Sequence, residues 1–154
     1  LEGYLGKIKQ PFKIDISTDD EITPSAVEYS YKLMFEERSI MLYSYNVETF
    51  LAEKIQTVLV RNVANTRMRD YFDIYAVSMQ ADYSEEILKQ AFKATCIKRG
   101  TDFSDESIKM LLDNIRNSED LSTEWEYYIK KNYYVELTWD EAVRYVCSFV
   151  EKLC

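Results

Sequence analysis

The sequence predicts an α+β protein that is predominantly helical, with a small sheet near the N-terminus followed by a C-terminal helical bundle. Short runs of aliphatic residues and tyrosines, separated by polar turns, occur before residue 46 and are typical of strands. After residue 46, apolar residues recur at helical spacing behind residues that cap helices. A chain of 154 residues, 47% hydrophobic and 30% charged, has the composition of a soluble globular protein with its own core.

Three runs near the N-terminus predict the strands of this sheet, either mixed or antiparallel. Residues Phe12–Ser17 alternate apolar and polar side chains with a period of two, after a segment over residues 1–10 in which two glycines predict a loop or a short turn. Residues Val27–Phe35 and Ile40–Tyr45 are rich in tyrosine and aliphatic residues, and the polar segment Glu36–Ser39 predicts the turn between them. A sheet this small leaves a strand edge exposed, so a further segment is expected to pair there.

The middle of the chain predicts two antiparallel helices joined by a short polar turn. Asn46 can cap the first helix, because its side-chain oxygen can accept a free backbone N–H of the first turn. One face of that helix consists of Leu51, Ile55, Val58, Leu59 and Asn62. Residues Asn62–Asn65 form the break, and Thr66 is the next predicted cap. A turn this short makes the helices neighbours, so Lys54 is predicted to lie level with Asp70.

The second helix of this pair has two apolar faces and carries two carboxylates. One face consists of Met68, Tyr71, Phe72, Tyr75 and Met79, and the other of Ile74 and Val77. Asp70 and Asp73 lie on the second side, and a helix packed on both sides keeps them partly out of water. Lys54, Arg67 and Arg69 can compensate their charge. A purely structural interpretation stays open: Arg69 and Asp73 have the spacing of an ordinary helix ion pair, and Lys54 can point its ammonium outward.

The rest of the chain predicts further helices to the end. Ser84 can cap a helix that stops before Gly100, a residue suited to a left-handed helix end. Ser104 can cap the next helix, and residues 121–134 show helical spacing again. The stretch Thr138–Glu141 is a capping box, which opens a last amphipathic helix.

Composition excludes several classes of chemistry. Histidine is absent, which excludes a histidine general base, a Ser-His or Cys-His nucleophile and the usual zinc sites. The three cysteines are odd in number and lack Cys-x-x-Cys spacing, so they predict reduced thiols in a cytoplasmic protein. No apolar run approaches the roughly 20 residues that a membrane-spanning helix needs, so no contact with a membrane is expected.

The charge distribution restricts contact with nucleic acid to one region. The formal net charge is −8, so the surface as a whole does not attract RNA or DNA. The best local concentration of cations consists of Lys54, Arg61, Arg67 and Arg69. The 13 tyrosines have two interpretations: they stack on bases, or they lie at the edge of the core with their hydroxyls in water.

The helical pair carries two stretches with the spacing of a known family. They read LAEKIQTVLVR over Leu51–Arg61 and ANTRMRDYFDIY over Ala64–Tyr75. Both resemble the later motifs of the AbiEii/AbiGii-type nucleotidyltransferases, the toxin halves of abortive-infection toxin–antitoxin pairs. The family pattern is ETxxAEK followed by RxxDxxDI, and the segments Glu48–Lys54 and Arg67–Ile74 match it.

Upstream of these motifs the resemblance is partial. FKIDIS over Phe12–Ser17, with the following Ile22–Pro24, resembles the strand that precedes the family's helices. The family core begins with a Gly-Gly or Gly-Ser turn that opens a helix, then an Asp-x-Asp strand that binds metal. The chain has three glycines, and none is followed by that pattern. The resemblance therefore implies a fragment, in which residues 1–45 are a partial nucleotidyltransferase sheet and residues 46–154 a helical domain with the late motifs.

The resemblance also implies roles for the polar residues. Lys54 would be the cation that contacts a triphosphate, and Asp70 would either orient Lys54 or activate the acceptor hydroxyl. Arg61, Arg67, Arg69 and Asp73 would support them or contact phosphate. Asp15 would be a metal-binding carboxylate. The cofactors implied for the complete protein are Mg²⁺ and a nucleoside triphosphate, with none expected to be bound by the fragment.

Two functions from different classes follow. In the first, the chain is the C-terminal part of a toxin that transfers a nucleotide from a nucleoside triphosphate to an RNA acceptor such as a tRNA end. That toxin would act in phage defence with a cognate antitoxin, and the fragment alone would be inactive. In the second, the chain is a non-catalytic helical module that binds a protein such as an antitoxin, and its lysine and aspartates form a structural ion-pair network.

Overall fold

A computed structural model describes residues 1–14, 16, 20–132 and 136–153. In this part of the chain, four short strands precede six α-helices, which confirms the predicted class, α+β and predominantly helical. The strands are β1 (Glu2–Leu5), β2 (Ile8–Pro11), β3 (Val27–Lys32) and β4 (Ser39–Ser44). The helices are α1 (Val47–Arg61), α2 (Met68–Gln80), α3 (Glu85–Lys98), α4 (Asp105–Arg116), α5 (Glu119–Lys131) and α6 (Trp139–Leu153).

The first hairpin lies where the sequence predicted a loop or a short turn; the turn is present at Gly6, but the strands on either side were not predicted. Strands β1 and β2 pair antiparallel, with Glu2 opposite Pro11. Gly6 turns the chain with a positive φ of 60°. Gly6 and Lys7 fit a two-residue hairpin loop with glycine in the first position, so the sequence contained a signal for this hairpin.

The predicted strand Phe12–Ser17 is wrong for its described residues. Phe12–Ile14 and Ile16 lie outside any strand. Asp15, the predicted metal-binding carboxylate, lies outside the described residues, as does Ser17. Alternation of apolar and polar residues predicts a strand only where a partner strand pairs with it, and the described residues of this run do not form a strand.

Pairing of the first hairpin continues past Pro11. Pro11 has no N–H to donate, but it lies opposite Glu2, at a position of the ladder that needs none. Beyond it, the N–H of Phe12 donates to the carbonyl of Leu1 at 3.0 Å, and the N-terminal ammonium of Leu1 donates to the carbonyl of Phe12 at 3.1 Å. The predicted single sheet is also wrong, because β1–β2 and β3–β4 form two separate two-stranded sheets.

The second hairpin is confirmed with small shifts. Strands β3 and β4 pair antiparallel, with Val27 opposite Ser44 and Lys32 opposite Ser39. Residues 33–35, predicted as strand, belong to the connection instead, where the N–H of Leu33 bonds to the carbonyl of Arg38. One face of the hairpin carries the partly or fully exposed apolar side chains of Val27, Tyr29, Tyr31, Ile40 and Leu42.

Most helix ends lie where the sequence predicted them. Side chains that accept first-turn N–H groups belong to Asn46, Ser84 and Ser104, and Gly100 has a positive φ of 62°. Helix α5 begins earlier than predicted, behind a further cap at Ser118. The predicted cap Thr66 is wrong: α2 begins at Met68, and the side chain of Asn65 accepts the N–H of Arg67 at 3.0 Å. Hydrogen bonds between a side chain and a backbone N–H two or three residues further along explain both the confirmed caps and the wrong prediction at Thr66.

Helix α1 lies at the centre of the core. Five of its apolar side chains are fully buried, namely those of Leu51, Ala52, Ile55, Val58 and Leu59. Buried apolar side chains of α2, α3, α4, α5 and α6 form one core cluster with them. Tyr71 of α2 packs edge-on against Trp139 at a ring-centroid distance of 5.3 Å, and the indole N–H of Trp125 donates to the carbonyl of Leu137 at 2.9 Å. Met79, predicted to lie on an apolar face, is 61% exposed at the end of α2. No helix of the described residues is long and apolar enough to cross a membrane.

Candidate functional site

Lys54 and Asp70 meet between α1 and α2. The Lys54 ammonium lies 2.6 Å from Asp70 Oδ1 and 3.0 Å from Asp73 Oδ2. The Asp70 side chain is 2% exposed and that of Lys54 is 19% exposed, so the pair is largely withdrawn from water. The short turn between the helices brings these residues level, as the sequence predicted. Their catalytic role stays a prediction at this point.

Two arginines complete the charge balance around the carboxylates. Arg67 Nε lies 3.3 Å from Asp70 Oδ2, an ion-pair contact without the geometry of a good hydrogen bond. Arg69 Nε lies 3.7 Å from Asp73 Oδ1, which is the i, i+4 pair that the spacing indicated. Both arginines extend into solvent, whereas Asp70 is buried. The buried carboxylate is therefore held by Lys54 from one side and approached by Arg67 from the other.

A second polar network lies on the other side of Lys54, and the sequence did not reveal it. Arg99, the residue after α3, places Nη2 3.2 Å from Glu53 Oε1 and donates from Nη1 to Gln56 Oε1 at 2.8 Å. The Gln56 amide in turn donates to the Thr101 hydroxyl at 3.3 Å. The sequence assigned Arg99 only to the end of a helix. No local spacing could connect it to α1, because the contact depends on how α3 packs.

Burial shifts the acidity of the groups around this network. It raises the pKa of Glu53 above the ordinary 4.5, and Asp20 adds to the rise, while Arg99 and Lys54 lower it. The phenol of Tyr45 donates to Asp20 Oδ2 at 2.5 Å. Burial, together with that hydrogen bond, raises the pKa of Tyr45 to about 12. The phenol therefore stays protonated and keeps donating at neutral pH.

Two cavities flank the Lys54–Asp70 pair. The α3-side cavity has a volume of about 330 Å³, and its charged lining residues are Glu53, Lys54, Arg61, Arg67, Asp70 and Arg99. The α5-side cavity has a volume of about 420 Å³, and its lining includes Phe50, Lys54, Arg67, Arg69, Asp73 and Tyr128. Lys54, Arg67 and Asp70 line both cavities. The pair therefore stands between two openings of different composition.

The structure divides the predicted site residues between these cavities. Arg61 lines the α3-side cavity, whereas Arg69 and Asp73 line the α5-side cavity. The α3-side cavity carries four cations and two carboxylates in a chain whose net charge is −8. A local excess of positive charge in such a chain favours a polyanion, since clefts lined by one sign of charge concentrate the opposite sign.

The described residues around Lys54 do not fit a magnesium ion. Magnesium prefers oxygen ligands in octahedral geometry, and Asp70 and Asp73 are the nearest pair of carboxylates. The Lys54 ammonium already contacts an oxygen of each. The described residues contain no group of three or more histidine, cysteine or acidic side chains that could hold a metal.

These features define a helical protein with a lysine–aspartate pair beside a cationic cavity of about 330 Å³. A family model described as "Nucleotidyl transferase AbiEii toxin, Type IV TA system" matches residues 2–145. The chain therefore belongs to the AbiEii nucleotidyl transferase toxin family, as the resemblance of its motifs indicated. Membership of a type IV toxin–antitoxin family implies an antitoxin partner. Searches of curated proteins and of solved structures returned no significant match.

Proposed function

We propose that this chain contributes the triphosphate-binding half of a nucleotidyltransferase, which transfers a nucleotide from a nucleoside triphosphate to an RNA acceptor such as a tRNA end. The observation that carries the proposal is the Lys54–Asp70 pair, with a contact of 2.6 Å, at the wall of the cationic α3-side cavity. The donor triphosphate occupies that cavity, where Arg61, Arg67 and Arg99 surround it.

Lys54 acts as the cation on the transferring phosphoryl group. The acceptor hydroxyl gives its proton to water, its oxygen forms a bond to the α-phosphorus, the bond from that phosphorus to the bridging oxygen breaks, and pyrophosphate leaves with the bonding electron pair. Negative charge grows on the leaving oxygens, and a fixed ammonium in a partly buried site stabilises it more than water does. Asp70 and Asp73 hold that ammonium from one side, so it is already oriented when the triphosphate binds.

Asp70 positions Lys54 and does not accept the proton of the acceptor. Its Oδ1 atom already contacts the Lys54 ammonium, and its Oδ2 atom lies 3.3 Å from Arg67 Nε. Its side chain is 2% exposed, so neither oxygen is open to an acceptor hydroxyl. Of the two roles that the resemblance left open, orientation of Lys54 is therefore the one proposed.

The proposal places the chain in a toxin of a phage-defence system, with an antitoxin as its partner. The metal-binding carboxylates would come from a segment with the family's Asp-x-Asp motif. In keeping with this, the 154 residues alone would transfer no nucleotide.

A second candidate is a non-catalytic module that binds an antitoxin. The observation in its favour is the β3–β4 hairpin, where Val27, Tyr29 and Leu42 expose between 42% and 54% of their surface on one face. In that case the Lys54–Asp70 pair only joins two helices, and its removal changes stability but no catalytic rate.

Transfer of labelled nucleotide to RNA tests the proposal. The assay compares the 154-residue chain with the same chain joined to a segment that supplies the glycine turn and the Asp-x-Asp strand. In the joined protein, we expect Lys54→Gln combined with Asp70→Asn to lower the transfer rate by about 100-fold or more. The double substitution keeps a neutral hydrogen-bonded pair, so the melting temperature stays near that of the unchanged protein.

The matched control is Lys93→Gln, at an exposed position on α3 outside both cavities. It should leave the transfer rate unchanged. A double variant that transfers nucleotide at the control rate would reject the role of Lys54 and favour the binding module. Turnover by the 154-residue chain alone would reject the need for the Asp-x-Asp segment.

A further inference from the structure

The α5-side cavity differs from the α3-side cavity in having an aromatic wall. The rings of Phe50 and Tyr128 form this aromatic wall beside the buried Met68. The polar residues of the lining are Lys54, Thr66, Arg67, Arg69, Asp70 and Asp73. Its volume of about 420 Å³ lies within the ordinary range of small-molecule sites, roughly 300 to 1,000 Å³. A cavity lined by both aromatic rings and cations matches a ligand that has both a flat ring and a phosphate.

The aromatic wall is held in place by its neighbours. The ring of Tyr128 lies 5.5 Å from that of Trp125 and 6.5 Å from that of Phe72, both measured between centroids. The Phe50 ring lies under the Lys54 ammonium at 5.3 Å. Phe50 and Tyr128 are both partly exposed. Rings fixed in this way offer stacking surface at a small loss of side-chain freedom.

The polar wall offers groups for a phosphate and for a hydrogen-bonding edge. The side chains of Arg67 and Arg69 are 55% and 79% exposed, so both guanidinium groups can reach a bound phosphate while each keeps its carboxylate neighbour. Asp73 accepts from base N–H groups or from ribose hydroxyls, because an ionised carboxylate is an acceptor only. The wall therefore matches the polar parts of a nucleotide.

We infer that the α5-side cavity binds a nucleotide, with its base stacked against Tyr128 and Phe50. The inference rests on the proposed function, because Lys54 and Asp70 line this cavity as well as the one that holds the triphosphate. If the base belongs to the terminal nucleotide of the RNA acceptor, its phosphate lies at Arg67 and Arg69. If it belongs to the donor, its triphosphate extends past Lys54 and Arg67 into the α3-side cavity. Either source places a nucleotide directly beside Lys54.

Binding measured on the 154-residue chain tests this without requiring catalysis. The probes are a fluorescein-labelled single-stranded oligoribonucleotide, followed by fluorescence anisotropy, and ATP, followed by calorimetry. Tyr128→Leu removes the ring and should weaken binding of one or both probes by about 5- to 100-fold, as expected for loss of one stacked base. Tyr128→Phe keeps the ring and should bind as the unchanged chain does. Phe50→Leu gives a second, independent loss of stacking surface.

The matched control is Tyr127→Leu, the neighbouring α5 residue, which is 58% exposed and outside the cavity. If Tyr128→Leu weakens binding of the oligoribonucleotide alone, the cavity holds the acceptor base. If it weakens binding of ATP alone, the cavity holds the donor base. Unchanged binding of both probes in Tyr128→Leu and Phe50→Leu overturns the inference, as does failure of both probes to bind the unchanged chain.

A further variant separates this inference from the proposed function. Arg61 lines the α3-side cavity and not the α5-side cavity. If the triphosphate lies where we propose, Arg61→Ala weakens ATP binding and leaves the effect of Tyr128→Leu unchanged. If Arg61→Ala leaves ATP binding unchanged while Tyr128→Leu weakens either probe, the triphosphate assignment fails and the stacking site stands.

Discussion

Arg99 reaches across from the end of α3 to Glu53 on α1, with 3.2 Å between its Nη2 atom and the carboxylate oxygen Oε1. Glu53 is the residue directly before Lys54, so this contact holds the turn of α1 from which the Lys54 side chain extends. Gln56, which is 4% exposed, accepts a hydrogen bond from the same guanidinium at 2.8 Å. The face of α1 with the site is thereby fixed by α3 on one side and by α2 on the other.

Replacement of Arg99 tests how much this contact stabilises the fold. Arg99→Ala removes the ion pair to Glu53 and the hydrogen bond to Gln56. We expect the free energy of unfolding to fall by about 1 kcal/mol, a modest value because the guanidinium is partly in water. Urea denaturation measures it, with Lys93→Ala on the exposed face of α3 as the control. A loss no larger than that of Lys93→Ala would contradict the role assigned to Arg99.

The shifted pKa of Glu53 predicts a pH dependence of stability. Burial raises the pKa of Glu53 above 4.5 in the folded state. At a pH between 4.5, the pKa in the unfolded chain, and the raised pKa of the folded protein, the folded protein therefore binds more protons than the unfolded chain. The contribution of Glu53 is therefore fully present below pH 4.5 and is lost as the pH rises through the raised pKa.

Comparison with Glu53→Gln isolates this contribution, because the amide does not titrate. We expect the free energy of unfolding of the unchanged protein, minus that of the variant, to fall as the pH rises from 4.5 toward neutrality. Urea denaturation at several pH values measures it. A difference that rises with pH, or that stays constant, would show that the pKa of Glu53 is not raised.

The Lys54–Asp70 pair predicts strong coupling between two substitutions. Lys54→Ala leaves the carboxylate of Asp70, 2% exposed, with Arg67 as its remaining cationic neighbour among the described contacts. Removal of one partner of a buried pair costs about 3–5 kcal/mol, and we expect the low end because Arg67 remains. Adding Asp70→Asn should restore most of the lost stability. Urea denaturation of both single variants and the double variant gives the coupling energy, and additive losses would contradict a direct pair.

Local signals explain which parts of the fold the sequence predicted. The caps Asn46, Ser84 and Ser104 bond to N–H groups three residues further along, so each is readable from its own neighbourhood. The meeting of Lys54 with Asp70 was also predictable, because the short turn between α1 and α2 fixes how the helices align.

Contacts between distant segments explain what the sequence did not predict. Arg99 and Glu53 meet only because α3 packs along α1, and no spacing rule connects them. The strand predicted at Phe12–Ser17 had an alternating pattern, but its described residues do not form a strand. The aromatic wall of the α5-side cavity likewise joins Phe50 of α1 to Tyr128 of α5, which the periodicity of either helix alone cannot show.

In the capping box at the start of α6, the pKa of Glu141 is shifted in the opposite direction to that of Glu53. The Thr138 N–H donates to Glu141 Oε2 at 3.0 Å, its hydroxyl donates to the same oxygen at 2.7 Å, and the Glu141 N–H donates to the hydroxyl at 3.3 Å. The hydrogen bonds from the Thr138 backbone and hydroxyl lower the pKa of Glu141 below 4.5. Its stabilising contribution is therefore present above pH 4.5 and is lost as the pH falls through the lowered pKa.

Thr138→Ala removes the hydroxyl and should lower the free energy of unfolding by about 1 kcal/mol, the usual effect of losing a helix cap. Glu141→Gln removes the titrating group, so the loss of stability below pH 4.5 should be smaller in this variant than in the unchanged protein.

Thermal unfolding from pH 3 to pH 7, monitored by circular dichroism, measures both effects. Asp140→Asn, at the exposed position before Glu141, is the control for removal of an acidic charge in the same helical turn. If Glu141→Gln and Asp140→Asn alter the acid sensitivity equally, the effect belongs to the helix dipole and not to the box, because both carboxylates lie in the first turn of α6.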